Sequence, residues 1–174
     1  MKSKISFFNK TIFVKNATLY WPIWAIYTLI LLISQPIILW FSYNDGYRIH
    51  ALTIEQKTQM LIEQLSMEPY LWLIGIMAVV TGMAVFSYLY NSKSANMIHS
   101  LPVDRAQLYG TNVISGLAFL ILPQILTFLV TMFVCLMNGV TRIEYIAIWL
   151  LLAVGVDVIA FSMVTFCSFF TGQL

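Results

Sequence analysis

From Trp21 to Tyr43 the chain carries no charged side chain, and a helix of that length, at about 1.5 Å per residue, crosses a hydrocarbon core of roughly 30 Å. Comparable apolar runs occupy 69–90, 108–137 and 145–170. Lipid offers no hydrogen-bond partners to an open backbone, so runs of this kind must close their peptide groups within helices. The expected architecture is all-α, a polytopic transmembrane helix bundle of about four spans. Composition points the same way. Of 174 residues, 60% are apolar and only 9% charged, too few charges to cover a water-soluble globule.

Apart from Asp157, the charged residues fall between the runs. An N-terminal arm, 1–20, holds Lys2, Lys4, Lys10 and Lys15; a polar loop at 44–68 carries Asp45, Arg48, Glu55, Lys57, Glu63 and Glu68; 91–107 and 138–144 are shorter. The arm and the 91–107 segment together hold six Lys/Arg, against three in the other two connections. Counting cations predicts a cytoplasmic N-terminus and an outward-facing 44–68 loop, the acidic residues having little influence. No small-residue cleavage site closely follows the first run, so the arm is read as retained. Ile5, Phe8, Ile12 and Leu19 fall near one helical face of the arm, which suggests an interfacial amphipathic elbow helix; a merely flexible basic tail is the alternative. Ile54, Met60, Leu61 and Leu65 approximate helical spacing within the large loop and suggest a short helix on the membrane surface. Trp21, Trp24, Trp40 and Tyr43 mark the two ends of the first span.

Polar residues inside the runs are the first candidates for function. Asp157 lies near the middle of the fourth run, where a charge costs at least about 2.5 kcal/mol on insertion scales. It either lines a substrate path or stabilises a partner helix, or it is a carboxylic acid hydrogen-bonded to a neighbouring Ser, Thr or Gln. Gln35 and Gln124 each sit beside a proline, Pro36 and Pro123, whose missing N–H frees a backbone carbonyl for them to satisfy. Glycines at 75, 82, 116 and 155 would permit close helix contact. Cys135 and Cys167 lie within apolar runs and read as small packing residues rather than a disulfide or metal pair.

The segment Asn91 to Asn112, NSKSANMIHSLPVDRAQLYGTN, has orderly local chemistry. Ser92 can cap a short helix reaching about His99, Leu101-Pro102 ends it, and Asp104 with Gln107 can form a capping box for the next. Such a helix across the ends of two spans is a surface for another protein to push on, although an ordinary structured loop has the same chemistry. The run His99-Ser100-Leu101-Pro102-Val103-Asp104-Arg105, followed by Leu108 and Asn112, resembles the ABC-2 type permeases of Gram-positive bacteria, whose members often read S-L-P-V-S-R and then a leucine as the third span begins. The lysine-bearing arm, the Trp21-Pro22 start of the first span and the large loop before the second are similar as well, so the resemblance extends over essentially the whole chain.

That resemblance implies a permease subunit of a bacterial cell membrane, an exporter, that works with a separate ABC ATPase subunit and with a second permease subunit, identical or related. It implies that 94–101 is a coupling helix seated on the ATPase, with Lys93, Ser94, Asn96, Met97, His99, Leu101 and Arg105 as the coupling residues. Lys93 and Arg105 would contact the partner or lipid headgroups. Asp104 stands where many relatives have serine, and both types cap helices. Family members usually have six or more spans, so the chain reads as an N-terminal portion of a longer permease or a truncated product. A non-transporting accessory or sensor membrane protein is the alternative reading, and a self-sufficient channel or secondary transporter is weakened by the lack of internal repeats.

No phosphate loop G-x-x-x-x-G-K-[ST], H-E-x-x-H or G-x-S-x-G motif occurs, so any ATP is hydrolysed by a partner, and no catalytic residue, cofactor or metal is expected. Gly155-Val156-Asp157 is similar to the aspartate motif of intramembrane proteases, but that chemistry needs a second carboxylate within a span. Scattered cations and a net charge of +2 give no footprint for nucleic acid.

Overall fold

The computed structural model describes residues 8–44, 52–66, 68–87 and 105–171, and all regular structure among them is helical. The helices are α1 (Lys10–Leu19), α2 (Trp21–Tyr43), α3 (Ile54–Leu65), α4 (Glu68–Val85), α5 (Arg105–Met137) and α6 (Ile143–Thr171). Helices α2, α5 and α6 are long and apolar enough to cross a membrane; α3 and α4, bent by 40° at their junction, pass the same test only as a pair. The chain is therefore a multi-pass membrane protein with three to four spanning helices. Its outward surface agrees: Leu151, Trp72 and Phe41 are 74%, 73% and 69% exposed, an apolar exterior that water would not tolerate on this scale.

α2 changes character at its proline. Residues Ile33–Ile37 form a π-helical turn containing Pro36, flanked by Trp21–Leu32 and Ile38–Tyr43 in ordinary α geometry. Widening the ladder is one way to absorb a residue with no N–H to donate. At 33 residues α5 is the longest helix, about 50 Å at the usual rise, more than one crossing requires. Its far end is closed by a Schellman turn. Gly139 at φ +78° takes the left-handed conformation that favours glycine, Val140 N–H donates to Cys135 O at 2.9 Å and Gly139 N–H to Leu136 O at 3.1 Å, and Val140 and Cys135 share an apolar cluster. Just beyond, the exposed Arg142–Glu144 ion pair, 2.9 Å apart, holds the Arg142 guanidinium above its ordinary range through the hydrogen bond to Glu144.

α6 packs against α4 and α5, α2 packs against α5, and α1 lies along the beginning of α5. Close approach of α6 needs glycine on its neighbours. A Cβ at Gly116 would enter the Phe161 ring, and one at Gly82 would meet Val164 Cγ1 at 2.8 Å. One buried cluster joins Tyr27, Phe86, Phe119, Leu120, Trp149 and Phe161. A second, near the α3 end, holds Leu39, Tyr43, Leu61, Val134, Cys135 and Ile146.

Helix α3 opens on a capping box between Thr53 and Gln56. Its apolar Leu61 is fully buried in the second cluster, so this amphipathic helix turns that face onto the bundle, where the sequence suggested a membrane surface. Tyr43 Oη donates to Lys57 O at 3.0 Å, and Lys57 Nζ donates to Asn138 O at 3.2 Å. Helix α1 also departs from the amphipathic pattern. Its buried residue is Asn16, while Phe8 and Leu19 from the supposed apolar face are exposed and Ile12 is half-buried.

Candidate functional site

The buried face of α5 is polar for much of its length. Thr111, Asn112 and Ser115 lie on its first turns and Gln124, Thr127 and Thr131 on later ones, all buried. Their three- and four-residue spacing puts them on one side of the helix. Phe119 and Leu120 interrupt the row and belong to the cluster that also holds Phe86 and Phe161.

The first group ties down α1. Asn16 Nδ2 donates to Asn112 Oδ1 at 2.8 Å and to Ser115 Oγ at 3.3 Å. Asn9 N–H donates to Thr111 Oγ1 at 2.9 Å, and Thr111 and Ser115 hydroxyls donate to carbonyls one turn back, Gln107 O and Thr111 O. Every polar atom these residues bury finds a partner.

The second group is different. Asp157 is the midpoint of α6, 14 residues from each of its ends at Ile143 and Thr171, and it is fully buried together with Tyr27 on α2 and Gln124 on α5. Gln124 Nε2 donates to Tyr27 Oη at 3.1 Å and to Asp157 Oδ2, so one amide joins three helices. Gln124 Oε1 and Asp157 Oδ1 are left without a hydrogen-bond partner among the described residues, as are Trp149 Nε1 and both amide atoms of Gln35. Orphaned polar atoms are costly in an apolar interior, and four side chains of this bundle carry them.

Gln35 does not meet a carbonyl freed by the α2 proline, since neither of its amide atoms has a partner among the described residues. In the same π turn Ser34 O accepts from Gln64 Nε2 at 2.7 Å and from Tyr70 Oη at 3.1 Å, and Gln64 Nε2 also donates to Tyr70 Oη at 2.9 Å. Nor does Gln124 satisfy a carbonyl freed by Pro123; its Nε2 hydrogens go to Tyr27 and Asp157.

Among the sequence-derived candidates, Gln124 and Asp157 are brought together and Gln35 lies apart in the π turn. Lys93, Ser94, Asn96, Met97, His99 and Leu101 lie outside the described residues, while Arg105 opens α5 with its side chain exposed. Tyr27, Asn16, Ser115 and Gln64 were not singled out from sequence, and Asn112 only as part of the permease-like run, although the polar row along α5 could have been read at helical spacing. No group of three or more His, Cys, Asp or Glu suited to a metal ion occurs among the described residues. No protein-family model matches the chain, and no curated protein or solved structure matches it significantly.

Proposed function

We propose that the chain is the membrane-spanning permease subunit of an ABC transporter in a bacterial cell membrane, an exporter driven by a separate ATPase subunit through the 91–107 segment. The observation that carries this reading is the buried polar face of α5. A helix that begins at Arg105, inside the end of that segment, runs unbroken to Met137 and carries Gln124 19 residues from its start (124 − 105), about 28 Å away. A push on the segment would reach the middle of the bundle through one helix. The bonds from Asn16 to Asn112 and Ser115 would make α1 move with the first turns of α5, as an interfacial elbow at the cytoplasmic side.

In this mechanism nucleotide-driven closure of two ATPase subunits displaces 91–107 and tilts α4 and α5. The route lies along Gln35, Gln124 and Asp157 and is completed by a second permease subunit, with lipid around the outer surface. Polar side chains that keep unpaired atoms inside the bundle are suited to a changing set of partners, as a pathway requires.

The test is co-purification. The full-length gene product, tagged and extracted in mild detergent, is compared with a variant disrupted across Met97 and Leu101. The expected result is an ATPase subunit recovered with the native protein and lost from the variant. If neither form brings down an ATPase at comparable expression, the permease reading fails and the accessory-protein alternative replaces it.

A further inference from the structure

Tyr27, Gln124 and Asp157 are fully buried and come from three helices. Among the described residues, the groups facing Asp157 from its neighbours are the Tyr27 phenol on α2 and the Gln124 amide on α5. No charged side chain sits along α2, Arg105 is at the far start of α5, and Glu144 is 13 residues (157 − 144) before Asp157 on α6. Beyond the first residue of α4, Glu68, that helix carries none. The carboxyl group thus has no cation to pair with along these helices.

The cluster is short of hydrogens. The Gln124 Nε2 hydrogens serve Asp157 Oδ2 and Tyr27 Oη, and nothing among the described residues donates to Asp157 Oδ1 or Gln124 Oε1. A proton on the carboxyl removes the buried charge and supplies a donor. The amide can answer that change without moving any helix: turned over about its last side-chain bond, Gln124 presents Oε1, which accepts from the acid O–H and the Tyr27 O–H together. The same three side chains therefore offer a donor to the carboxylate and an acceptor to the acid. A hard metal cation is a poorer fit, because it asks for about six or more oxygens and these side chains present fewer.

We propose that Tyr27, Gln124 and Asp157 form a reversible proton-binding site in the middle of the bundle, with Asp157 taking the proton and Gln124 exchanging its N–H for its C=O. The site is distinct from the ATPase-coupling segment and does not depend on that reading.

Infrared difference spectroscopy of the purified full chain in detergent, between acid and alkaline buffer, tests it. The chain has only three aspartates, Asp45, Asp104 and Asp157, so ¹³C-aspartate labelling and the Asp157→Glu variant assign the band even if Asp157→Asn does not fold. The expected result is a carboxylic-acid C=O band that disappears reversibly as pH rises, shifts in Asp157→Glu and is lost in Asp157→Asn. Absence of an acid band assignable to Asp157 at every pH where the protein stays folded overturns the proposal, because the carboxylate is then permanently ionised. A band that never responds to pH overturns it equally, because the acid is then a fixed structural group. Neither result involves an ATPase, so failure here leaves the permease reading standing.

Discussion

The two polar regions along α5 are built from similar side chains and differ in how completely they are bonded. The Asn16 amide and the Ser115 hydroxyl meet acceptors and their region has no fully buried polar atom left over among the described residues, whereas around Asp157 buried atoms are left over, as they are at Gln35 on α2. A helix-to-helix clasp is best when closed, because an unmet polar atom inside a bundle costs more than a met one returns. The first region therefore holds α1 on α5. The second gives up stability, which is what a group that must exchange partners requires. Between them lie Phe119, Leu120 and Phe161, so a change in one region is not passed to the other through a polar chain.

The largest effect is expected at the open region. Asp157→Asn keeps size and one hydrogen-bonding edge, so assembly should survive, and on the proposed permease reading transport is lost; unchanged transport in reconstituted vesicles would make Asp157 one more clasp. Next comes the apolar layer. Gly116→Ala places a methyl group in the Phe161 ring and should lower stability by about 1–3 kcal/mol, read from thermal unfolding in detergent. An unchanged melting temperature would mean that α5 and α6 slide freely, and the separation of the regions would lose its basis.

Smaller effects distinguish the regions by sign. Gln35→Leu removes an amide that has no partner among the described residues and should raise stability by roughly 1 kcal/mol. Asn112→Leu takes the closest acceptor from Asn16 and should lower it by about 0.6 kcal/mol, the average for hydrogen bonds between membrane helices.

The spanning helices were legible because lipid imposes a simple rule, and uncharged runs such as Trp21 to Tyr43 obey it. Asp157 stood out for the same reason. A glutamine partner was among the readings for Asp157, and Gln124 is that partner; Tyr27 was not foreseen, since it lies on another helix at a separation that only packing decides and tyrosine in an apolar run reads as an interface anchor. The arm shows what spacing leaves out. Ile5, Phe8, Ile12 and Leu19 suggested a membrane-interface face, while the side that α1 turns to α5 is held by Asn16, because the adjoining turns of α5 are polar. Similarly, Gln35 looked placed to serve the carbonyl freed by Pro36, yet both of its amide atoms are without a partner among the described residues. Chain proximity suggests a partner; the fold decides whether the side chain reaches it.

The contrast between the closed clasp on α5 and the unpartnered polar side chains of the bundle is tested most directly by melting Gln35→Leu, on α2, and Asn112→Leu beside the native chain in one detergent. The account predicts opposite shifts, upward for Gln35→Leu and downward for Asn112→Leu. Equal losses in both would contradict it, because the Gln35 amide would then be as firmly bonded as the α1 clasp.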